Sequence, residues 1–174
     1  MPVLETKRLI LCRLDADDAP FILGLVNEPG WLRFIGDRNI HDLDAARRYI
    51  EDGPQAMYRR YGYGLYGIRL KDGTPIGMCG IVKRDGLDDV DLGFALLSRF
   101  EGRGYAREAA GATLEHASRD HGLKRMAAIT TPSNERSIRL LRSIGFTPQG
   151  QRRLTPEADP VSLFLWQAAS ADSG

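Results

Sequence analysis

The chain has 174 residues, enough for one ordinary domain at roughly 100–200 residues per domain. Lys plus Arg (24) and Asp plus Glu (23) nearly cancel, so the net charge of +1 gives no global field that would draw the chain onto nucleic acid or an anionic bilayer. A hydrophobic fraction of 43% against 27% charged residues excludes a disordered chain, and no apolar run approaches the ~18 residues of a membrane-spanning helix.

The amino terminus, MPVLETKRLILCRLD, has no long apolar region and no small-residue cleavage site, which argues against a signal peptide. Cys12 and Cys79 each sit in an apolar segment outside any CxxC pair, as expected of buried thiols in a reducing cytoplasm. His41, His116 and His121 are scattered, without HExxH spacing, so no metal site is read and surface placement is expected for His116 and His121. Arg8 to Leu14 alternates apolar and polar residues and predicts a first strand. Asp15, Asp17 or Asp18 can cap a following helix whose stripe is Phe21, Ile22, Leu25 and Val26. Pro29 to His41 mixes turn formers with Trp31 and Phe34 and reads as an aromatic loop, after which a second helix runs from about Leu43 to Tyr58.

From Gly62 the period returns to two. Three runs, GYGLYGIRL, PIGMCGIVKR and DVDLGFALL, are separated by turns at Lys71-Asp72-Gly73 and near Asp85-Gly86, which predicts an antiparallel meander. Gly104 to Asp120 is helical, and the small residues Ala106, Ala109, Ala110, Thr113 and Ala117 would let its axis lie close to a sheet. A short strand follows at Arg125 to Thr130, then a helix carrying Ile138, Leu141 and Ile144 that ends at Gly145. Two last strands are predicted around Thr147 to Arg153 and Val161 to Gln167, and a disordered tail over 169–174. The expectation is one α/β domain over 1–168: a mixed, mostly antiparallel sheet of six to seven strands flanked by about four helices, with a splayed central parallel pair.

The chemistry concentrates where the strand at Asp91 runs into Arg99-Phe100-Glu101-Gly102-Arg103-Gly104 and then into a helix. Glycines permit positive φ and close backbone approach, and the unpaired N–H groups of a helix's first turn favour a diphosphate. A P-loop needs GxxxxGK[ST], which the chain lacks, and a Rossmann fingerprint would place Gly or Ala where Arg107 stands. A plain glycine turn between strand and helix is the alternative.

These residues resemble the GNAT superfamily of acetyl-CoA-dependent N-acetyltransferases, whose pyrophosphate loop is R/Q-x-x-G-x-G/A. The likeness extends to LETKRLILCRLDADD at Leu4–Asp18, to Asp91-Leu92-Gly93-Phe94, to the helix start at Gly104–Ala109 and to TPSNERSIRLLRSIGF, in the order of the RimJ/RimL branch. The resemblance implies an acetyl-CoA cosubstrate, no metal and an amine acceptor, either a protein N-terminus or a small molecule, with no nucleic-acid or membrane partner, in a monomer or homodimer. It implies that Phe94, Ala95, Leu96 and Leu97 form the edge that bonds the pantetheine arm. Arg99, Gly102, Arg103, Gly104, Tyr105 and Ala106 would hold the pyrophosphate, with Asn134 and Ser137 opposite.

The amide at Phe94 would face the developing oxyanion, and Asp91 is the candidate base, acting through water. Asp88, Asp89 and Asp91 also read as a solvated turn, Asn134 as a helix cap, and Trp31 and Phe34 as hydrophobic cover. Trp31, Arg33, Phe34 and Arg38, with the turn near Thr155 to Pro160, are the candidate acceptor contacts. The family's usual tyrosine acid is Leu141 here, so Ser137, Ser143 or water would serve. A catalytically degenerate acyl-CoA sensor and an aminoglycoside or drug acetyltransferase are the alternatives; the second expects an acidic acceptor cleft.

Overall fold

Alternation of apolar and polar residues builds one sheet. The computed structural model describes residues 2–169, with strands β1 (Pro2–Glu5), β2 (Leu9–Arg13), β3 (Leu65–Leu70), β4 (Pro75–Val82), β5 (Asp91–Leu96), β6 (Arg125–Thr130), β7 (Thr147–Arg152) and β8 (Val161–Gln167). They form an eight-stranded sheet in the order β1-β2-β3-β4-β5-β6-β8-β7, antiparallel throughout except for β5 against β6. The sheet thus has one strand more than the six to seven expected. The extra one is β1, a four-residue edge strand with only Val3 and Leu4 partly covered, too short for a period to register. Beyond Ala169 the expected tail lies outside the described residues.

The helices are α1 (Ala19–Val26), α2 (Pro29–Phe34), α3 (Leu43–Ile50), α4 (Ala56–Tyr61), α5 (Tyr105–His121) and α6 (Glu135–Ser143). The predicted helix at Leu43–Tyr58 is α3 and α4 joined by a π turn at Glu51–Gln55, because Pro54 has no N–H to give to an α-helical ladder. Counted as one body, that pair makes five helices. The fifth is α2, which corrects the expected aromatic loop: Pro29 starts it at a position where the missing N–H costs nothing, and Trp31 packs inward at 8% exposure.

The sheet buries both faces. On one, α5 packs Ala109, Ala110, Leu114 and Ala117 against Leu9, Leu11, Ile68, Ile81 and Leu92, and the small side chains bring the helix close as the sequence predicts. On the other, α1 and α3 bury Ile22, Leu25 and Ile50 around Leu14, Met78 and Leu97. Each fully buried aliphatic side chain contributes about 1.5–3 kcal/mol. His116 departs from its expected surface position: it is 6% exposed, with Nδ1 2.7 Å from Asp120 and Nε2 3.4 Å from the Tyr66 hydroxyl. Burial pushes the Cys79 thiol up to about 12 against the lowering effect of its contact with Thr113, whereas Cys12 is only partly covered.

In the middle of the sheet Gly80 lies between β3 and β5, where a Cβ would collide with the Gly64 carbonyl oxygen and the Leu65 backbone. Gly80→Ala is therefore expected to lower stability by about 1–3 kcal/mol in urea unfolding through overpacking. Gly24→Ala, in the exposed interior of α1 with nothing within 4 Å of the added carbon, is expected to raise it by about 0.5–1 kcal/mol.

Candidate active site

Two parallel strands that pair at one end and part at the other leave backbone groups without partners. β5 and β6 meet in a single register pair, Asp91 with Ala127, where the Ala127 N–H donates to the Val90 carbonyl at 2.9 Å. On its other edge β5 stays paired with β4 along its full length, from Val82–Asp91 to Gly77–Leu96. The Leu97 N–H donates to Ile76 at 2.9 Å, and a Cβ on Gly77 would strike the Ala95 carbonyl, so the peptide groups of Ala95 and Leu97 face β4. Alternation along a strand then turns the N–H and C=O of Phe94 and Leu96 toward β6, which has diverged.

The opening is part of a cleft of about 1260 Å³. At its far end, beyond Leu96, Gly102 and Gly104 take φ of +79° and +83°, and Gly104 is the residue before α5. The first helical bond is Glu108 N–H to Gly104 C=O at 3.0 Å, and the N–H groups of Tyr105, Ala106 and Arg107 have no protein acceptor among the described residues. The loop is held from behind. Arg8 Nε meets Glu108 at 2.7 Å, Arg8 Nη1 donates to the Arg103 carbonyl at 2.9 Å, and the guanidinium stacks 4.5 Å from the Tyr105 ring centre. Partial burial opposes ionisation of Glu108, but the Thr6 hydroxyl and the side chain and N–H of Arg8 outweigh it and hold the carboxyl below its ordinary range. Free amides at the positive end of a helix, behind a fixed loop, suit a phosphate-bearing ligand, and the open strand edge beside them suits an extended amide-containing chain.

The opposite wall is the start of α6. Asn134 caps it, its side chain accepting from the Ser137 N–H at 3.3 Å, and Asn134, Arg136, Ser137 and Ser143 all line the cleft. Arg136 reaches across to Glu101 at 2.8 Å, tying the two walls.

At the near end Asp91 is 1% exposed, with one carboxylate oxygen 2.9 Å from Arg84 Nε and the other, Oδ1, buried without a partner. Burial raises its pKa above the ordinary aspartate range, against the lowering effect of Arg84. The carboxyl is the buried member of a charge pair, so the solvated-turn reading holds for Asp88, which is exposed, and not for Asp91. Burial also raises the Tyr49 hydroxyl, while the charges of Arg38 and Arg84 reach it and pull the other way.

Among the residues expected at the site, Asp91, Phe94, Ala95, Leu96, Gly102, Gly104, Tyr105, Ala106, Asn134, Ser137, Trp31, Phe34 and Arg38 line this one cleft. Leu97 lies in the core beneath α1 and α3, and Arg99 and Arg103 turn back over Phe100 at 5.1 and 5.9 Å. Arg33 stacks over Phe34 at 4.8 Å, away from the cleft lining, as does the 155–160 connection. Leu141 is 1% exposed in the main core and does not reach the cleft. Sequence reasoning missed Tyr49, Arg84 and Arg136. Arg84 follows β4 by two residues and could have been found from the hairpin register that sets it beside Asp91, whereas nothing local marks the other two.

Comparison with known proteins agrees with the geometry. Residues 8–147 match the family described as the acetyltransferase (GNAT) domain. The chain is 31% identical over 146 residues to the uncharacterized protein YkkB of Bacillus subtilis (strain 168), covering 82% of this chain and 83% of YkkB. An acetyltransferase from Agrobacterium tumefaciens superposes with a TM-score of 0.80 at 28% identity, covering 96% of this chain and 95% of the other. RimL, a ribosomal L7/L12 alpha-N-protein acetyltransferase solved with coenzyme A, has the same fold, with a TM-score of 0.80 at 18% identity over 97% of this chain and 98% of RimL. The matched residues run from the strand behind the glycine loop to the far wall of the cleft, and the chain belongs to the GNAT acetyltransferase family.

Proposed function

We propose that residues 1–168 act as one acetyl-CoA-dependent N-acetyltransferase domain, cytoplasmic and monomeric or homodimeric, that transfers acetyl to a primary amine by direct attack on the thioester. The observation that carries this reading is the open edge of β5 leading straight to the unpartnered amides of Tyr105, Ala106 and Arg107. Acetyl-CoA when bound supplies the activated acyl carbon and a thiolate leaving group.

The protein's own groups then have three tasks. The Phe94 N–H, held in the rigid β4–β5 ladder, is the donor for the oxygen on which charge develops, and its fixed orientation requires no rearrangement during reaction. Asp91 removes the proton that the attacking amine must lose, since a lysine amine has a reference pKa of about 10.4 and an α-amine about 7.7–8.0. Asp91 lies three residues from Phe94, about 10 Å along the strand, so that proton passes through water. The raised pKa brings the carboxylate nearer neutrality and makes it a stronger base than an exposed aspartate. At the other end Gly102 and Gly104 let the loop's backbone approach the diphosphate, and Asn134 and Ser137 border the arm from α6. Ser137, Ser143 or solvent protonates the thiolate, because Leu141 offers no proton.

Release of free thiol from acetyl-CoA across a panel of primary amines tests the activity. Asp91→Asn is expected to cut turnover by about 10²–10⁴-fold with calorimetric acetyl-CoA affinity unchanged. The base works only when ionised, so wild-type kcat/KM should rise with pH through an inflection above the ordinary aspartate range, and that limb should vanish in the variant. The linkage runs the other way for stability. A carboxyl whose pKa is raised on folding favours the fold most when protonated and loses that advantage as pH rises through its folded pKa, so Asp91→Asn should not lower Tm at pH 7. Gly104→Asp puts a carboxylate at the helix start, at a positive φ that Asp tolerates better than most residues, and should weaken acetyl-CoA binding by about tenfold or more in calorimetry.

A further inference from the structure

The cleft carries basic side chains at both ends, and the diphosphate accounts for only one of them. Arg107, in the first turn of α5 after the glycine loop, and Arg136 and Arg139 on α6 opposite it all line the cleft. Arg38, Arg60, Lys83 and Arg84 also line the cleft, together with Asp52 and Asp91. Arg84 bonds the first residue of β5, whereas the glycine loop follows its last, a separation of about 16 Å along the strand. Arg84 is taken by Asp91, but Arg38, Arg60 and Lys83 have no carboxylate within 4.0 Å among the described residues. Among the cleft-lining residues outside the glycine loop, α5 and α6, these four cations stand against two carboxylates, Asp52 and Asp91. Arg38, Tyr49 and Arg84 all line this cleft, and the two guanidinium charges oppose the upward shift that burial gives the Tyr49 hydroxyl.

Two unsatisfied atoms sharpen the pattern. The indole Nε1 of Trp31 is a buried donor without an acceptor, and Oδ1 of Asp91 is a buried acceptor without a donor. Both residues line the same cleft and both are more than nine-tenths buried. An orphan donor and an orphan acceptor each cost desolvation that a ligand bearing the opposite groups would recover.

We propose that the acceptor is a small amine carrying its own anionic group, a carboxylate or a phosphate, which Arg38 and the donors beside it bind while the amine is directed toward Asp91 and Phe94. This rests on the N-acetyltransferase reading and narrows its acceptor. A polycation such as an aminoglycoside or a polyamine meets the wrong sign of charge here. A peptide N-terminus brings no anion close to its amine unless an acidic side chain follows directly.

The test uses amines paired by the presence or absence of an anionic group, with rates compared per free-base amine because the anion also raises the amine pKa: phenylalanine against phenylalaninamide, and 2-aminoethyl phosphate against ethanolamine, with spermidine and a neutral peptide added. In thiol-release assays the carboxylate or phosphate member should show kcat/KM higher by about tenfold or more. Arg38→Gln should erase that advantage mainly through KM, and whichever pair shows the larger ratio identifies carboxylate or phosphate as the anion held. Equal use of the amide and ethanolamine, or preference for spermidine or the peptide, would overturn the proposal while leaving N-acetyl transfer intact. Calorimetry of N-acetylphenylalanine against N-acetylphenylalaninamide, with and without CoA, gives a readout independent of turnover. Selective binding of the carboxylate with no thiol released from any amine would uphold the anion site and sink the transfer reading. No selectivity in either assay sinks the anion site.

Discussion

Everything functional in this molecule depends on a hydrogen-bond ladder that is started and then abandoned. A parallel pair normally satisfies each strand's inner edge, yet here β5 and β6 share one register pair before they part. The neighbouring ladders are long and regular, with β5 held by β4 and β6 held by β8 at six register positions each. Rigid outer support keeps the inner edge from closing or fraying, so unsatisfied peptide groups are presented in a fixed direction. Such groups are costly in a core and useful in a cleft, where an extended ligand can complete the ladder.

The same logic governs the charges. Asp91 is a carboxylate that the fold buries, pairs on one oxygen and leaves without a partner on the other. Burial and the bond from Arg84 act on this carboxyl in opposite directions, and burial prevails, so its pKa lies above the ordinary aspartate range. On the glycine loop the balance is reversed. Thr6 and Arg8 fix Glu108 and the Arg103 carbonyl, and the amides of Tyr105, Ala106 and Arg107 have no protein acceptor among the described residues.

Much of this was legible in the amino-acid order because its signals are local. The period-two runs gave the meander, Gly102 and Gly104 marked the loop, and the alanine stripe of α5 predicted a close-packed helix. What escaped was set by tertiary packing. Trp31 and Pro29 looked like loop residues because a six-residue helix is too short to display a period, and only the core beneath fixes it. His116 was placed outside because a lone histidine near a helix end has an adequate surface explanation, and nothing local announced Tyr66 across the sheet. Tyr49 and Arg84 come together from α3 and the end of β4, a juxtaposition that no spacing encodes.

Leu141, standing where the family resemblance implies a tyrosine acid, bears on how the two proton transfers of the proposed reaction would be shared. Leu141 is committed to the core, so the residue cannot have been replaced by another polar group that reaches the cleft from the same position. A thiol has a reference pKa of about 8.5, below the roughly 10.4 of an alkyl amine and close to the 7.7–8.0 of an α-amine, so an alkyl amine needs more help to shed its proton than the sulfur needs to leave as an anion. For an alkyl amine the difference of about two pKa units corresponds to nearly 3 kcal/mol on the nucleophile's side of the reaction, whereas for an α-amine the two proton transfers are nearly matched. In the proposed reaction, a buried Asp91 that takes the amine's proton, with thiolate protonation left to a serine or to water, puts the protein's help on the step that an alkyl amine makes harder.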